Sequence, residues 1–294
     1  MQAFDYAAPE SVEEVVKLLV GKNGDAQILA GGTDLIVQLR EGRRSTKLVI
    51  DIKNISELTL VAFESKNGLR IGAAASCSQI CSNENVNKHY PGLIDGIGLI
   101  GGVQIQSRAS VGGNLCNASP AADSIPPLIV HEAVCHVAGP NGARTIPVDE
   151  FCIAPGKNTL AAGEFLSSII VPAPKEKTGA SYLRFIPRNE MDIAVVGAGA
   201  SVVLDDDKIH FVSARIALGA VAPTPLLASD AGTFLTGKAI THANVKGAAR
   251  MAQEIAKPIT DLRGTAEHRK HLVAVLVERA LDKAIERAGG NYAE

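Results

Sequence analysis

The stretch Gln27-Ile28-Leu29-Ala30-Gly31-Gly32-Thr33-Asp34-Leu35 passes from an apolar run, through two glycines, to a hydroxyl and a carboxylate. The apolar run is short enough for a buried strand, and Thr33 and Asp34 are residue types that cap a helix, so Leu35 to Arg40 reads as a short helix. Glycine lets a backbone approach a ligand closely, and the free N–H groups at a helix start attract anions. Strand, Gly-Gly, cap and helix together describe a candidate phosphate cradle. Taken alone, the segment reads more simply as a tight turn.

Working outward, Ser11 and Glu14 have capping-box spacing, and Val12, Val15, Val16 and Leu19 follow at helical intervals. Leu48 to Ile52 reads as a second buried strand, which makes residues 1–56 one small unit. A second unit, 57–175, holds strands at 69–73, 133–138, 143–147 and 165–171, with a turn at Gly139-Pro140-Asn141-Gly142. Lys175-Glu176-Lys177 is a charged linker into a third unit, 176–294. There, strands at 182–186, 194–204 and 209–218 precede a helical tail. Asp205-Asp206-Asp207-Lys208 is the hairpin turn between the last two strands. Leu272, Val273, Val275, Leu276, Ala280, Leu281, Ala284 and Ile285 give the tail its clearest amphipathic stripe. The expected fold is α+β: two small α/β units, then an antiparallel sheet with a helix bundle.

A second glycine segment lies about 80 residues downstream, a separation read directly from the numbering. Ser110-Val111-Gly112-Gly113-Asn114 opens a run rich in Ser, Asn and Pro that extends through Cys116, Asn117, Ser119 and Asp123. Residues 107–127 read as the longest irregular stretch, and a long polar loop inside a compact domain is usually functional.

Composition narrows the classes. At 46% hydrophobic and 20% charged residues with a net charge of −2, the chain suits a soluble globular fold and offers no electrostatic reason to bind nucleic acid. No apolar run reaches the length of a membrane span. The N-terminus lacks a basic region followed by an apolar core, so a cytoplasmic location is expected. The five cysteines, at 77, 81, 116, 135 and 152, form no regular framework and read as reduced thiols.

The paired segments carry a family resemblance. Ala30-Gly31-Gly32-Thr33-Asp34 with Ser110-Val111-Gly112-Gly113-Asn114 resembles the FAD-binding medium subunit of the xanthine dehydrogenase and carbon monoxide dehydrogenase family. Ile100 to Arg108, Tyr182 to Arg188 and Asp192-Ile193-Ala194 fit the same pattern, which spans nearly the whole chain. The resemblance implies a bipartite FAD-binding region. In it, Ile28, Leu29, Ala30, Gly31, Gly32, Thr33, Asp34 and Leu35 join Ser110, Val111, Gly112, Gly113 and Asn114 in holding the diphosphate. It further implies that Ile100 borders the flavin, Phe165 the adenine end, Asp123 the nucleotide end, and Arg184 the cleft. Asn117 and Ser119 are further polar candidates. Ile100 and Phe165 read equally as core, and Asp123 as a turn acid.

The resemblance also implies partners: a small subunit with iron–sulfur clusters and a large one with molybdopterin, in a dimer of heterotrimers. Substrate is then selected in another chain, and electrons pass from the clusters through FAD to NAD, a quinone or another acceptor. No histidine stands in the first glycine loop, so covalent flavin attachment is not indicated. Some relatives carry an inserted cysteine-rich segment with an extra cluster; none is visible here, and no metal is expected. Gly197-Ala198-Gly199-Ala200-Ser201-Val202 imitates a dinucleotide fingerprint. It lacks the third glycine and the following helix, and reads as closely packed strand. Cys116 reads as a small buried thiol or a flavin neighbour. Two other readings stay open: a stand-alone flavin oxidoreductase and a non-catalytic assembly subunit.

Overall fold

The computed structural model describes residues 2–22, 24–188 and 191–293. The chain opens with a three-stranded parallel sheet in which Leu48–Asp51 lies between Asp5–Ala7 and Ala26–Leu29. Helix Val12–Gly21 packs on it through the fully buried Val15. Ser11 Oγ accepts the Glu14 N–H at 3.2 Å, as the capping-box spacing predicts. The returning Glu14 carboxylate takes the N–H of Glu10 rather than that of Ser11.

A five-stranded antiparallel sheet follows, in the order Val61–Glu64, Gly68–Gly72, Phe165–Val171, Val134–Gly139, Gly142–Pro147. The last two strands form the expected hairpin across Gly139 and Gly142. Short helices Pro91–Ile97, Val111–Cys116 and Ile125–Val130 share one hydrophobic core with this sheet. The stretch 107–127 is therefore less irregular than its composition suggests. Val111 and Leu115, four apart, are both fully buried. One helical turn brings them onto one face, and the glycines between them hide that period from a sequence reading.

The third part is a four-stranded antiparallel sheet, Thr178–Phe185, Val196–Leu204, Phe211–Gly219 and Leu226–Leu227. It is covered by helices Ser229–Leu235, His242–Ile255 and Ala266–Arg287. The expected stripe is the buried face of the last helix, from Val273 to Ile285. Gly179 allows that helix to lie directly on the first strand, since a Cβ there would overlap the Ala284 carbonyl. The mixed helix-and-strand expectation holds, with the antiparallel sheet and helices at the C-terminal end. The Gly197 to Val202 segment is strand, as its pattern predicts. Its glycine at 197 leaves room for the Tyr182 hydroxyl, and Gly199 lies against Pro126.

One acid ties the third part to the second. Asp95, on the helix Pro91–Ile97, accepts two bonds from Arg287 (2.5 and 3.0 Å), one from Lys283 (3.3 Å) and one from the Tyr182 N–H (3.1 Å). Burial by itself would raise this carboxyl. The bonds from Arg287, Tyr182 and Lys283 outweigh it and hold the group below the usual carboxylate range. A carboxyl depressed in the folded state adds stability above its unfolded value of about 4, and that stability is lost as pH falls through the folded value. Asp95→Asn is expected to lower neutral-pH stability by about 3 kcal/mol, because two cations lose their partner. In urea titrations, the gap to the parent should close below pH ~4.

Candidate functional site

A cleft of about 300 Å³, open to solvent on one side, runs between the first sheet and the second core. At that size it lies at the lower end of ordinary small-molecule sites, roughly 300–1,000 Å³. The two glycine segments form facing parts of its wall: Ala30 to Leu35 on one side, and Ser110 with Gly112 to Asn114 on the other.

The first segment leaves the strand Ala26–Leu29 and enters helix Leu35–Arg40. Gly32 has φ +78, a left-handed conformation that favours glycine. Gly31 answers a different need. A Cβ there would overlap the carbonyl of Arg108, so the two segments touch backbone to backbone. Lys53 steadies the bend, donating to the Ala30 carbonyl (3.0 Å) and to Asp51 (2.6 Å), which also accepts from the Tyr6 hydroxyl (2.9 Å). Among the described residues, the N–H groups of Gly31, Gly32, Thr33, Asp34 and Leu35 find no backbone acceptor. Asp34 stands at the cap position without making a side-chain cap bond.

The second segment is a helix start rather than a loop. Ser110 Oγ accepts the Gly113 N–H at 3.0 Å. Gly112 packs the helix against Ala73 of the second unit, where a Cβ would overlap the backbone. Gly113 is exposed to the cleft, and a Cβ on it would meet only the Ser110 Oγ. Asn114 Oδ1 is fixed by the Ser124 hydroxyl at 2.6 Å. Across the cleft, Gln38 Nε2 reaches Asn117 Oδ1 at 3.5 Å.

Arg44 is the one cation lining the cleft among the described residues, and its guanidinium donates to Gln27 at 2.7 Å. Glu164 is held by a two-pronged bond from Arg144 (2.8 and 2.7 Å), which keeps its carboxyl low. The anion-attracting groups are thus mostly main-chain N–H donors and helix starts. A cleft walled by glycine backbone, with unpaired N–H groups along one side, fits a ligand that carries a diphosphate.

Comparison with known proteins names the ligand. Residues 2–174 match the model described as the FAD binding domain in molybdopterin dehydrogenase, and residues 181–284 match the CO dehydrogenase flavoprotein C-terminal domain. The chain belongs to the FAD-binding subunits of the molybdenum hydroxylases. It is 30% identical to the xanthine dehydrogenase FAD-binding subunit of Escherichia coli O157:H7, over 98% of this chain and 99% of that one. It is 34% identical to the carbon monoxide dehydrogenase medium chain of Hydrogenophaga pseudoflava, over 97% and 98%. The solved carbon monoxide dehydrogenase from that organism superposes with a TM-score of 0.92 at 34% identity, covering 97% of this chain and 98% of that one. Quinoline 2-oxidoreductase from Pseudomonas putida 86 superposes at 0.89 with 28% identity, covering 98% of each chain. This FAD-binding subunit is accordingly a component of an oxidoreductase.

Most residues singled out in the sequence meet at this cleft. Ile28, Ala30 to Leu35, Ile100, Ser110, Gly112 to Asn114, Asn117 and Phe165 all line it. Leu29 and Val111 do not; Leu29 packs beneath Gly32, and Val111 is core. Asp123 and Arg184 also lie off the lining. They pair with each other at 2.5 Å, both nearly buried, and the Tyr182 hydroxyl donates to Asp123 at 2.8 Å. Burial pushes the Asp123 carboxyl up to about 6, against the pull of Arg184 and the Tyr182 hydroxyl. Cys116 does line the cleft, and burial pushes its thiol up to about 12, which keeps it protonated. Asn158, Glu164 and Arg44 carry no sequence signal; they sit outside both glycine segments and reach the wall by folding alone.

The glycines separate by experiment. Gly31→Ala forces two backbones apart and is expected to cost about 1–3 kcal/mol of stability, as overpacking does. Gly113→Ala should leave the melting temperature close to the parent's. It should raise the Kd for FAD at least about tenfold, or about 1.4 kcal/mol. Calorimetric melting and a flavin fluorescence titration read the two effects apart.

Proposed function

We propose that this subunit is the electron-transfer component of a molybdenum hydroxylase complex, standing between an iron–sulfur small subunit and an external acceptor such as NAD or a quinone. The observation that carries the reading is the cleft itself. Its first glycine segment presents unpaired main-chain donors, its second a helix start capped by Ser110, and apart from Asp34 its side chains offer little acid–base chemistry. Glu164 is consumed by Arg144, and Cys116 is held protonated.

In this reading the N–H groups of Gly31 to Leu35 and the helix start at Ser110 to Gly113 hold the FAD diphosphate. Ile100 borders the flavin and Phe165 the adenine end. Asn114, pinned by Ser124, and Asn117 bond the polar middle of the cofactor. Asp123 and Arg184 act from behind the wall: with Tyr182 they fix the segment that carries Ser124, rather than touching the cofactor. Bound there, FAD supplies a carrier able to accept electrons singly and release them in pairs. Ile100, Phe165 and Leu166 keep water from the apolar parts of the cleft.

We further propose the three segments 1–56, 57–175 and 176–294 as the chain's domains. Three hydrophobic clusters support this, the first of them borrowing Leu58, Ala74 and Phe165 from the second segment. The complex would be a dimer of heterotrimers with a molybdopterin large subunit, and cytoplasmic. Among the described residues no helix is long and apolar enough to cross a membrane.

Expressed alone, the chain should purify yellow with one FAD and show no substrate hydroxylation. Expressed with its neighbouring genes, it should elute in a three-subunit complex. Substrate turnover by the isolated chain would instead establish a stand-alone flavin oxidoreductase, and a colourless chain would point to an assembly role.

A further inference from the structure

A second hollow, of about 290 Å³, adjoins the cofactor cleft and shares one side chain with it. Gln2 and Phe4 line it from the start of the chain; Arg40, Arg44, Ser45 and Thr46 line it from the turn that follows helix Leu35–Arg40. Arg44 is the shared residue, and neither glycine segment reaches the second hollow.

The turn is held by backbone bonds. The Gln38 carbonyl accepts the N–H groups of Arg43 (3.0 Å) and Arg44 (3.2 Å). Gly42, at φ +72, permits the reversal. The buried Thr46 hydroxyl donates to the Asp25 carbonyl at 2.8 Å, which ties the far end of the turn to the start of strand Ala26–Leu29. Leu39, buried beside Arg40, anchors the near end and adds to the lining. The two arginines are thus presented from a fixed piece of main chain.

Charge inside the hollow is unbalanced. Two guanidinium groups line it and no acid does. The acids nearest in sequence are spent elsewhere, Glu41 on Arg43 at 2.5 Å and Asp25 on Lys47 at 2.7 Å. Among the described residues, Arg40 makes no ion pair and no side-chain hydrogen bond. Arg44 is oriented by its bond to Gln27 at 2.7 Å, which leaves most of its N–H donors free. Like charges lining one hollow repel, and an anion that bridges them relieves the repulsion. A phosphate monoester carries about −1.5 to −2 charges near pH 7 and matches two arginines, whereas one carboxylate leaves a cation unmatched. Phe4 and Leu39 offer apolar surface to a flat ring beside that phosphate.

We propose that this hollow is a second ligand site, separate from the cofactor cleft, for an organic phosphate of the mononucleotide class. Arg40 and Arg44 hold the phosphate, and Phe4 with Leu39 receives the base. FAD has a diphosphate and no terminal phosphate, so the cofactor does not supply this group. The inference is independent of the electron-transfer reading, because it uses no partner subunit and no acceptor.

The test is calorimetric titration of the FAD-loaded full chain with AMP, ribose 5-phosphate and adenosine. AMP should bind at one site with a Kd below about 1 mM. Ribose 5-phosphate should bind at least about tenfold more weakly, adenosine more weakly still, and added salt should weaken AMP. Arg40→Ala should raise the Kd for AMP at least about tenfold, and Arg40→Glu more, with FAD content and melting temperature at the parent's values. No AMP binding, AMP binding that Arg40→Ala leaves unchanged, or adenosine binding as tightly as AMP overturns the inference. So does release of FAD by AMP, which would place the nucleotide in the cofactor cleft. Equal binding of AMP and ribose 5-phosphate overturns the assignment to mononucleotides.

Discussion

The fold closes on a contact between two backbones. Gly31 lies against the carbonyl of Arg108 with no side chain between them. That contact sets the separation of the two glycine segments, and so the width of the cleft they share. Gly112 repeats the device one layer deeper, against Ala73. Of the glycines at this site, these two shape the walls, Gly32 supplies a left-handed bend, and Gly113 alone leaves space for a ligand. A glycine-rich motif is therefore not a uniform signature of cofactor contact. Much of it is the protein fitting to itself.

Two buried or half-buried acids extend this arrangement to the third part of the chain. Asp95 gathers Arg287, Lys283 and the Tyr182 backbone. Asp123 gathers Arg184 and the Tyr182 hydroxyl. Both acids come from the segment that builds the cleft wall, and most of their partners come from the C-terminal sheet and its last helix. Burial raises both acids, but their net shifts are opposite. Asp95 has enough donors to remain depressed, whereas Asp123 is raised to about 6. The C-terminal part thus contributes to the cofactor site without lining it, by fixing the helix before Ile100 and the residues around Ser124.

The elements most legible in sequence were those with strong periodicity and explicit caps. Ser11 with Glu14, the Gly139–Gly142 hairpin and the stripe ending at Ile285 needed no tertiary information. The helix at Val111–Cys116 reads as loop in sequence because its two interior glycines carry low helix propensity. Its formation depends on burying Val111 and Leu115 and on the Ser110 cap. The site was legible where it consists of main chain, since glycine, serine and threonine announce themselves. It was illegible where a side chain arrives from a distant part of the chain, as Asn158 and Glu164 do. The pairing of Asp123 with Arg184 belongs to the same class, because it joins residues 61 apart.

The reliance on main-chain donors has a consequence for how such a subunit diverges. An anion site made of arginines is lost one substitution at a time. A site made of unpaired peptide N–H groups is encoded by the path of the chain, and most side chains along that path are free to drift. Here the path survives at about a third of identical positions, with a TM-score of 0.92 to a carbon monoxide dehydrogenase. What the match preserves is the path of the chain, and the peptide N–H groups travel with it.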